Sequence, residues 1–229
     1  IEGAAVVDAD AAKGMMEERE EILARLEADR EEARARANEI REEAMREMQE
    51  QRERMMRQQM DQEMARWNRQ YEMSKELFET EEAQPRWNEQ LAQALGTLRE
   101  RGIDVDAGAV SEETLNWSLI LEEGTGDSPE DKIDTVSVHA TGWLPDGEQF
   151  WSSYDAPDGQ EAQPAIFTLN RVVQGWGLAV ESMRVGEKRM IVIPSEFAYG
   201  ARGRSDAQGN EVIAPNTALI FELELIALP

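Results

Sequence analysis

The sequence predicts an α+β chain: a long N-terminal helix of coiled-coil or stalk character, then a curved antiparallel sheet wrapped on one short helix. Three observations predict it. From Lys13 to Glu82 there is no Pro and no Gly beyond Gly14, and Glu, Arg, Ala, Gln and Met dominate; these residues lose little rotamer freedom in a helix. From Thr114 onward apolar residues recur every second position, the period of a half-buried strand. Between Val173 and Gly200 the chain reads as one short helix, a tight turn, a strand and a loop closing on an aromatic.

Composition narrows the partners. Over 229 residues, 48 Asp and Glu face 24 Lys and Arg, a net charge of −24. The excess is spread along the chain, with 28 acidic against 17 basic residues through Val110 and 20 against 7 beyond. Nucleic acid is a poor partner for such a surface, because binding a polyanion requires basic groups that displace its counterions. The charge keeps the surface self-repelling and would suit a high-salt habitat, where screening is short-ranged. With no Cys and the single His139, neither a Cys-based nor a multi-His metal site can form. No cofactor is expected. No run reaches the ~20 apolar residues of a spanning helix.

Taken in order, Ile1 to Ala12 is small and acidic and reads as irregular. The long helix is expected over 13–82, ~100 Å at the α-helical rise, far beyond the ordinary globular range. Glu21 with Arg25, Glu32 with Arg36, Glu42 with Arg46 and Glu53 with Arg57 stand at i,i+4 in the favourable order, each worth ~0.2–0.5 kcal/mol. Leu23, Leu26, Ala33, Ala37, Ile40, Ala44 and Met48 form a narrow seam weakened by alanines and interrupted by Arg30. Met56, Met60, Met64, Trp67, Tyr71, Ser74 and Phe78 form a broader face. Three readings of this helix stay open: a self-associating coiled coil, a Met-rich surface that repacks around varied clients, and a solvated helix held by its charge pairs.

Pro85 suits the first turn of a second helix over 86–101, whose face is Trp87, Leu91, Ala94, Leu95 and Leu98 and whose stop is Gly102. Trp87 and Leu95 are placed to pack on Trp67 or Phe78. Residues 103–110 read as a linker and the domain boundary. Strands follow at Leu115–Leu121, Thr135–Ala140, Arg189–Ile193 and Ala218–Ile226, and turns at Glu123–Pro129 and Pro145–Gly147, the latter returning to Phe150.

The C-terminal motifs occur in a fixed order: Glu123-Gly124-Thr125-Gly126, Val138-His139-Ala140-Thr141-Gly142, Asp146-Gly147-Glu148-Gln149-Phe150, Val172 through Met183, Val185-Gly186-Glu187-Lys188, Ile193-Pro194, Ala198-Tyr199-Gly200, and Ile213-Ala214-Pro215-Asn216 running into Phe221. Over about Ser111–Leu228 this order resembles the FKBP-type peptidyl-prolyl cis-trans isomerase domain. Pro164 through Asn170 is similar to its bacterial macrophage-infectivity-potentiator branch. The resemblance implies a prolyl pocket lined by Phe150, Val172, Val173, Trp176, Tyr199, Ile213 and Phe221, with Trp176 as floor, the Val173 N–H on one substrate carbonyl and the Tyr199 hydroxyl on another. It also implies proline-containing polypeptide clients and a homodimer or larger assembly through the N-terminal helix; its bacterial members favour a place outside the cytoplasm, with the cytoplasm as the alternative. His139 carries no catalytic role in this family.

Two pocket positions depart from the pattern. Ala140 stands where active members carry Tyr, and Trp151 where they carry an Asp that polarises the wall and orients substrate. Trp151 either fills the space left by Ala140 or blocks the pocket. Weak isomerase activity is therefore expected; the alternative is a non-catalytic proline-recognising module or a structural adaptor docked through its long helix. The polar loop Ala201–Asn210 lies where the family has a flap, and Arg202 and Arg204 on it are expected to steer acidic clients.

Overall fold

The computed structural model describes residues 9–130, 134–156 and 161–228. Two compact units are present, Ile1–Gln59 and Met60–Pro229. The first is helical through its described residues, as part of α1 (Ala9–Phe78). Residues 1–8 of the segment read as irregular lie outside the described residues, and Ala9–Ala12 are already helical. Every described side chain from Lys13 to Gln59 is exposed, Leu23, Leu26 and Ile40 of the seam included. Of the four expected charge pairs, Glu32–Arg36 is closed at 2.5 Å, and Glu50 pairs with Arg54 at 3.4 Å. No helix among the described residues is long and apolar enough to cross a membrane.

In the second unit the end of α1 changes character, because its apolar residues find partners. Trp67 and Phe78 are buried, Trp67 stacks on Tyr71 at 5.6 Å, and both Tyr71 and Phe78 reach Phe197, at 5.8 and 5.9 Å. This aromatic face belongs to the second unit, which begins at Met60. Helix α2 (Ala83–Glu100) follows α1 after a four-residue connection, 79–82. In the connection the Thr80 hydroxyl accepts from the Ala83 N–H at 3.2 Å, while Glu82 at the helix start makes no side-chain cap. At the far end Gly102 adopts φ 84° while the Ile103 N–H returns to the Leu98 carbonyl, a C-terminal cap. Trp87 meets Phe78 edge-on at 6.2 Å, one of the two partners expected for it.

The segment read as a linker is built into the fold. Val105 is buried in a 3-10 turn, and β1 (Ala109–Val110) pairs with β2 (Trp117–Glu122). The remaining strands are β3 (Thr135–Trp143), β4 (Gln149–Ser152), β5 (Ala165–Thr168), β6 (Lys188–Ile193), β7 (Arg204–Ser205), β8 (Glu211–Ile213) and β9 (Leu219–Ala227). The main sheet is antiparallel in the order β1-β2-β6-β9-β3-β4, with β5 also on β3; β7 and β8 form a separate hairpin. Helix α3 (Gln174–Glu181) lies on the sheet, and the core between them holds Val136, Val138, Ala179, Val180, Met183, Ile191, Ile193, Leu223 and Leu225.

Elsewhere on the sheet, Tyr154 stacks on His139 at 4.4 Å and donates to Glu224 at 3.3 Å, while Lys188 lies 3.5 Å from the same carboxylate. Burial, then Glu224, pushes the Tyr154 phenol above its ordinary 10.0. Burial opposes the Lys188 charge, but Glu224, Glu222 and Glu122 outweigh it and hold this amine above 10.5. Both groups bind their protons more tightly in the folded state, so their contribution to stability is complete below about pH 10 and is lost as pH rises through the raised values. Denaturant unfolding across this alkaline range should show stability falling, and falling less steeply in Glu224→Gln. Identical slopes would remove Glu224 as the cause.

Candidate active site

The site begins with α3. Gly177 follows Trp176 directly, and a Cβ there would stand 2.6 Å from the Leu169 carbonyl oxygen. Glycine thus lets the helix lie against the 169–171 turn, pressing Trp176 to 3% exposure. The Asn116 side chain donates to the Gly175 carbonyl at 2.7 Å and ties the first turn of α3 to the start of β2. At the other end Arg189 reaches the Ala179 carbonyl and the Ser182 hydroxyl, and its guanidinium is held by the buried Glu187 at 2.6 Å. A cation at a helix C-terminus satisfies the last carbonyls. The helix that carries Trp176 is therefore fixed at both ends.

Over Trp176 lies an open cavity of about 560 Å³, within the range of small-ligand sites. Phe150 and Trp151 come from β4, Phe167 from β5, Val172 and Val173 from the approach to α3, Ala198 and Tyr199 from the loop after β6, and Phe221 from β9. Phe167 meets Trp176 at 5.1 Å and Trp151 at 6.0 Å, both edge-on. Phe150 meets Phe221 perpendicularly at 5.6 Å. Gly142 makes that last pairing possible, since a Cβ there would lie 2.5 Å from the Phe150 ring. The polar lining is the Tyr199 hydroxyl, Gln70, Arg171 and Arg204. Arg204 covers the Tyr199 ring at 5.7 Å and donates to its hydroxyl at 3.5 Å.

Six of the residues expected to line a pocket are thus brought together: Phe150, Val172, Val173, Trp176, Tyr199 and Phe221. Ile213 is not among them; it lies fully buried on β8 in the core. Ala140 is likewise core, at 1% exposure on β3, and does not line the cavity. Trp151 stands on the cavity wall against Phe167, and the cavity stays open beside it. Arg202 is exposed in a 3-10 turn off the lining, whereas Arg204 of β7 is on it. His139 bonds Ser153 at 3.0 Å and stacks on Tyr154, away from the cavity.

Sequence reasoning missed Phe167, Arg171, Ala198 and Gln70. Phe167 had a signal, since it lies inside the Pro164–Asn170 run that carries part of the family resemblance. Gln70 had none, because it belongs to α1 and arrives through tertiary docking. The docking is specific. Gln174 donates to the Trp67 carbonyl at 3.3 Å, Arg86 of α2 is ion-paired with the buried Glu196, and Gln90 donates to the Asn216 carbonyl and accepts from the Ala218 N–H, each at 2.9 Å. Both α1 and α2 thereby brace the loops that carry Tyr199 and lead into Phe221.

These features have known counterparts. The profile of FKBP-type peptidyl-prolyl cis-trans isomerases matches residues 126–226. An FK506-binding protein of Neisseria meningitidis serogroup A is 42% identical over 114 residues, 48% of this chain and 94% of that protein. The chain belongs to the FKBP-type peptidyl-prolyl cis-trans isomerase family. FkpA of Aeromonas hydrophila, an FKBP-type peptidyl-prolyl cis-trans isomerase, is 41% identical over 121 residues, covering 53% of this chain and 41% of that protein, so the match spans less than half of the relative's length. The crystal structure of a peptidyl-prolyl cis-trans isomerase from Pseudomonas syringae aligns with a TM-score of 0.48 at 32% identity, over 64% of this chain and 95% of that one.

Gly177→Ala tests how the FKBP domain holds its tryptophan. The added methyl meets backbone, so α3 must lift, and thermal or denaturant unfolding should show a loss of about 1–3 kcal/mol. An unchanged stability would show that the helix has room to spare.

Proposed function

We propose that this chain is a peptidyl-prolyl cis-trans isomerase of reduced activity whose substrates are proline-containing polypeptides. The observation that carries the proposal is the open aromatic cavity over Trp176, with Trp151 on its wall and not across it.

Rotation about a peptide bond costs about 18–20 kcal/mol because planarity carries resonance, and an X-Pro bond isomerises unaided over tens of seconds. Twisting the bond removes the charge separation of the planar amide. A water-poor aromatic pocket therefore disfavours the planar ground state relative to the twisted one, which is differential binding of the transition state. No nucleophile is required. In this reading Trp176 supports the pyrrolidine ring, Phe150, Val172 and Phe221 wall it, and the Val173 N–H and Tyr199 hydroxyl hold the flanking carbonyls. Val173 is suited to that role because it is the residue at the N-terminus of α3, where a backbone N–H has no intrahelical acceptor.

Reduced activity follows from the wall. With Ala140 in the core and an indole at Trp151, no carboxylate among the described residues lines the cavity to orient the substrate amide. The N-terminal helix, with Met45, Met48, Met55 and Met56 exposed along it, is proposed to self-associate or to hold unfolded clients.

A protease-coupled assay on an Ala-Leu-Pro-Phe-type peptide tests the proposal. The full chain should accelerate cis-to-trans conversion above background at micromolar protein, and Trp151→Asp should raise kcat/KM about tenfold, the value of one well-placed charged hydrogen bond. No rate above background rules out the enzyme. Peptide binding without turnover would leave a proline-recognising module.

A further inference from the structure

The two arginines on the cavity lining define a preference among substrates. We propose that the site selects prolyl segments with a carboxylate side chain next to the proline, held at the rim by Arg171 and Arg204. This rests on the isomerase reading and adds the substrate class to it.

The charge pattern is the first argument. Acidic residues outnumber basic ones two to one in the chain, yet among the described residues the lining contains two arginines and no Asp or Glu. The two cations come from separate segments, Arg171 just ahead of Val172 and Val173, and Arg204 from β7 against Tyr199. They thus approach the cavity beside the two groups assigned to the substrate backbone.

Their bonding is the second argument. Arg204 makes no ion pair with a carboxylate among the described residues. Its contacts are the Tyr199 ring at 5.7 Å and hydroxyl at 3.5 Å, which orient a guanidinium without neutralising it. A guanidinium carries five N–H donors, so most of its capacity is left for a ligand. Arg171 has only a long contact with Glu63, 3.9 Å between side chains that are 73% and 40% exposed. Such a solvent-screened pair holds weakly and is readily exchanged for a substrate carboxylate. That carboxylate would lie at the edge of an aromatic wall, where attraction is less screened than on open surface. A basic residue at the same place would face two like charges. Arg202, exposed and off the lining, takes no part.

The test uses the full chain and three N-acetylated, C-amidated peptides, Ala-Xaa-Pro-Phe with Xaa Glu, Leu or Lys, so that the varied side chain alone carries charge. Cis–trans exchange is read by NMR. The expected kcat/KM for Glu exceeds that for Leu by about three- to tenfold, as two partly screened ion pairs allow, and Lys falls below Leu. The Glu-to-Leu ratio should approach one in the double variant Arg171→Gln/Arg204→Gln, and also for the unaltered chain at molar salt, where screening is complete within a few ångströms. Turnover of the Leu peptide with no preference for Glu, or a preference that survives both the double variant and high salt, overturns the inference and keeps the isomerase. Failure to turn over any of the three overturns both.

Discussion

Trp176 is the residue on which the rest of the structure depends, because one indole closes the core on one side and floors the cavity on the other. Its position is fixed by how near α3 can come to its neighbours. Glycine at 177 permits contact with the 169–171 turn, and Asn116 and Arg189 hold the two ends of the helix. Phe167 then seats edge-on against the indole, and Trp151 seats on Phe167. The substituted residue at 151 is accommodated by this aromatic chain, which is why an apolar wall persists where the family pattern has an acid.

A second constraint reaches the cavity from α1 and α2. Phe197, two residues before Tyr199, is gripped by Tyr71 and Phe78. The Gln90 amide bridges Asn216 and Ala218, and Arg86 pairs with Glu196. The cavity wall includes Gln70 itself. Helices that precede the sheet in sequence are therefore part of the construction of the site, and their docking sets the loop that presents the Tyr199 hydroxyl.

Much of this was legible in the residues. The strand alternation at Leu219–Ile226 and the turn residues marked individual strands and turns, which are local signals, while the wrapping of the sheet on α3 was legible through the resemblance that the ordered motifs carry. Phe150, Val172, Val173, Trp176, Tyr199 and Phe221 were legible as a group only through the family resemblance that their motifs carry. The bounds of α1 and α2 were less so: α1 ends at Phe78 and α2 starts at Ala83, and the Thr80 hydroxyl that accepts from the Ala83 N–H in the connection is a side-chain choice that propensity does not reveal. The face from Met56 to Phe78 read as an adaptable surface, yet its partner Phe197 lies more than 100 positions away, beyond any local signal. Ile213 and Ala140 went to the core for the same reason, because facing residues on other strands decide which side of a wall a small or branched side chain occupies.

The central claim is that a proline ring enters the cavity and rests on Trp176. Its most direct test is titration of the 15N-labelled full chain with a prolyl peptide, following the indole N–H resonances of the six tryptophans. The account predicts saturable shifts for Trp176 and Trp151, with Trp87 and Trp117, buried away from the cavity, unmoved. A Trp176 signal that stays in place while the peptide binds elsewhere, or that never moves at millimolar peptide, would contradict it.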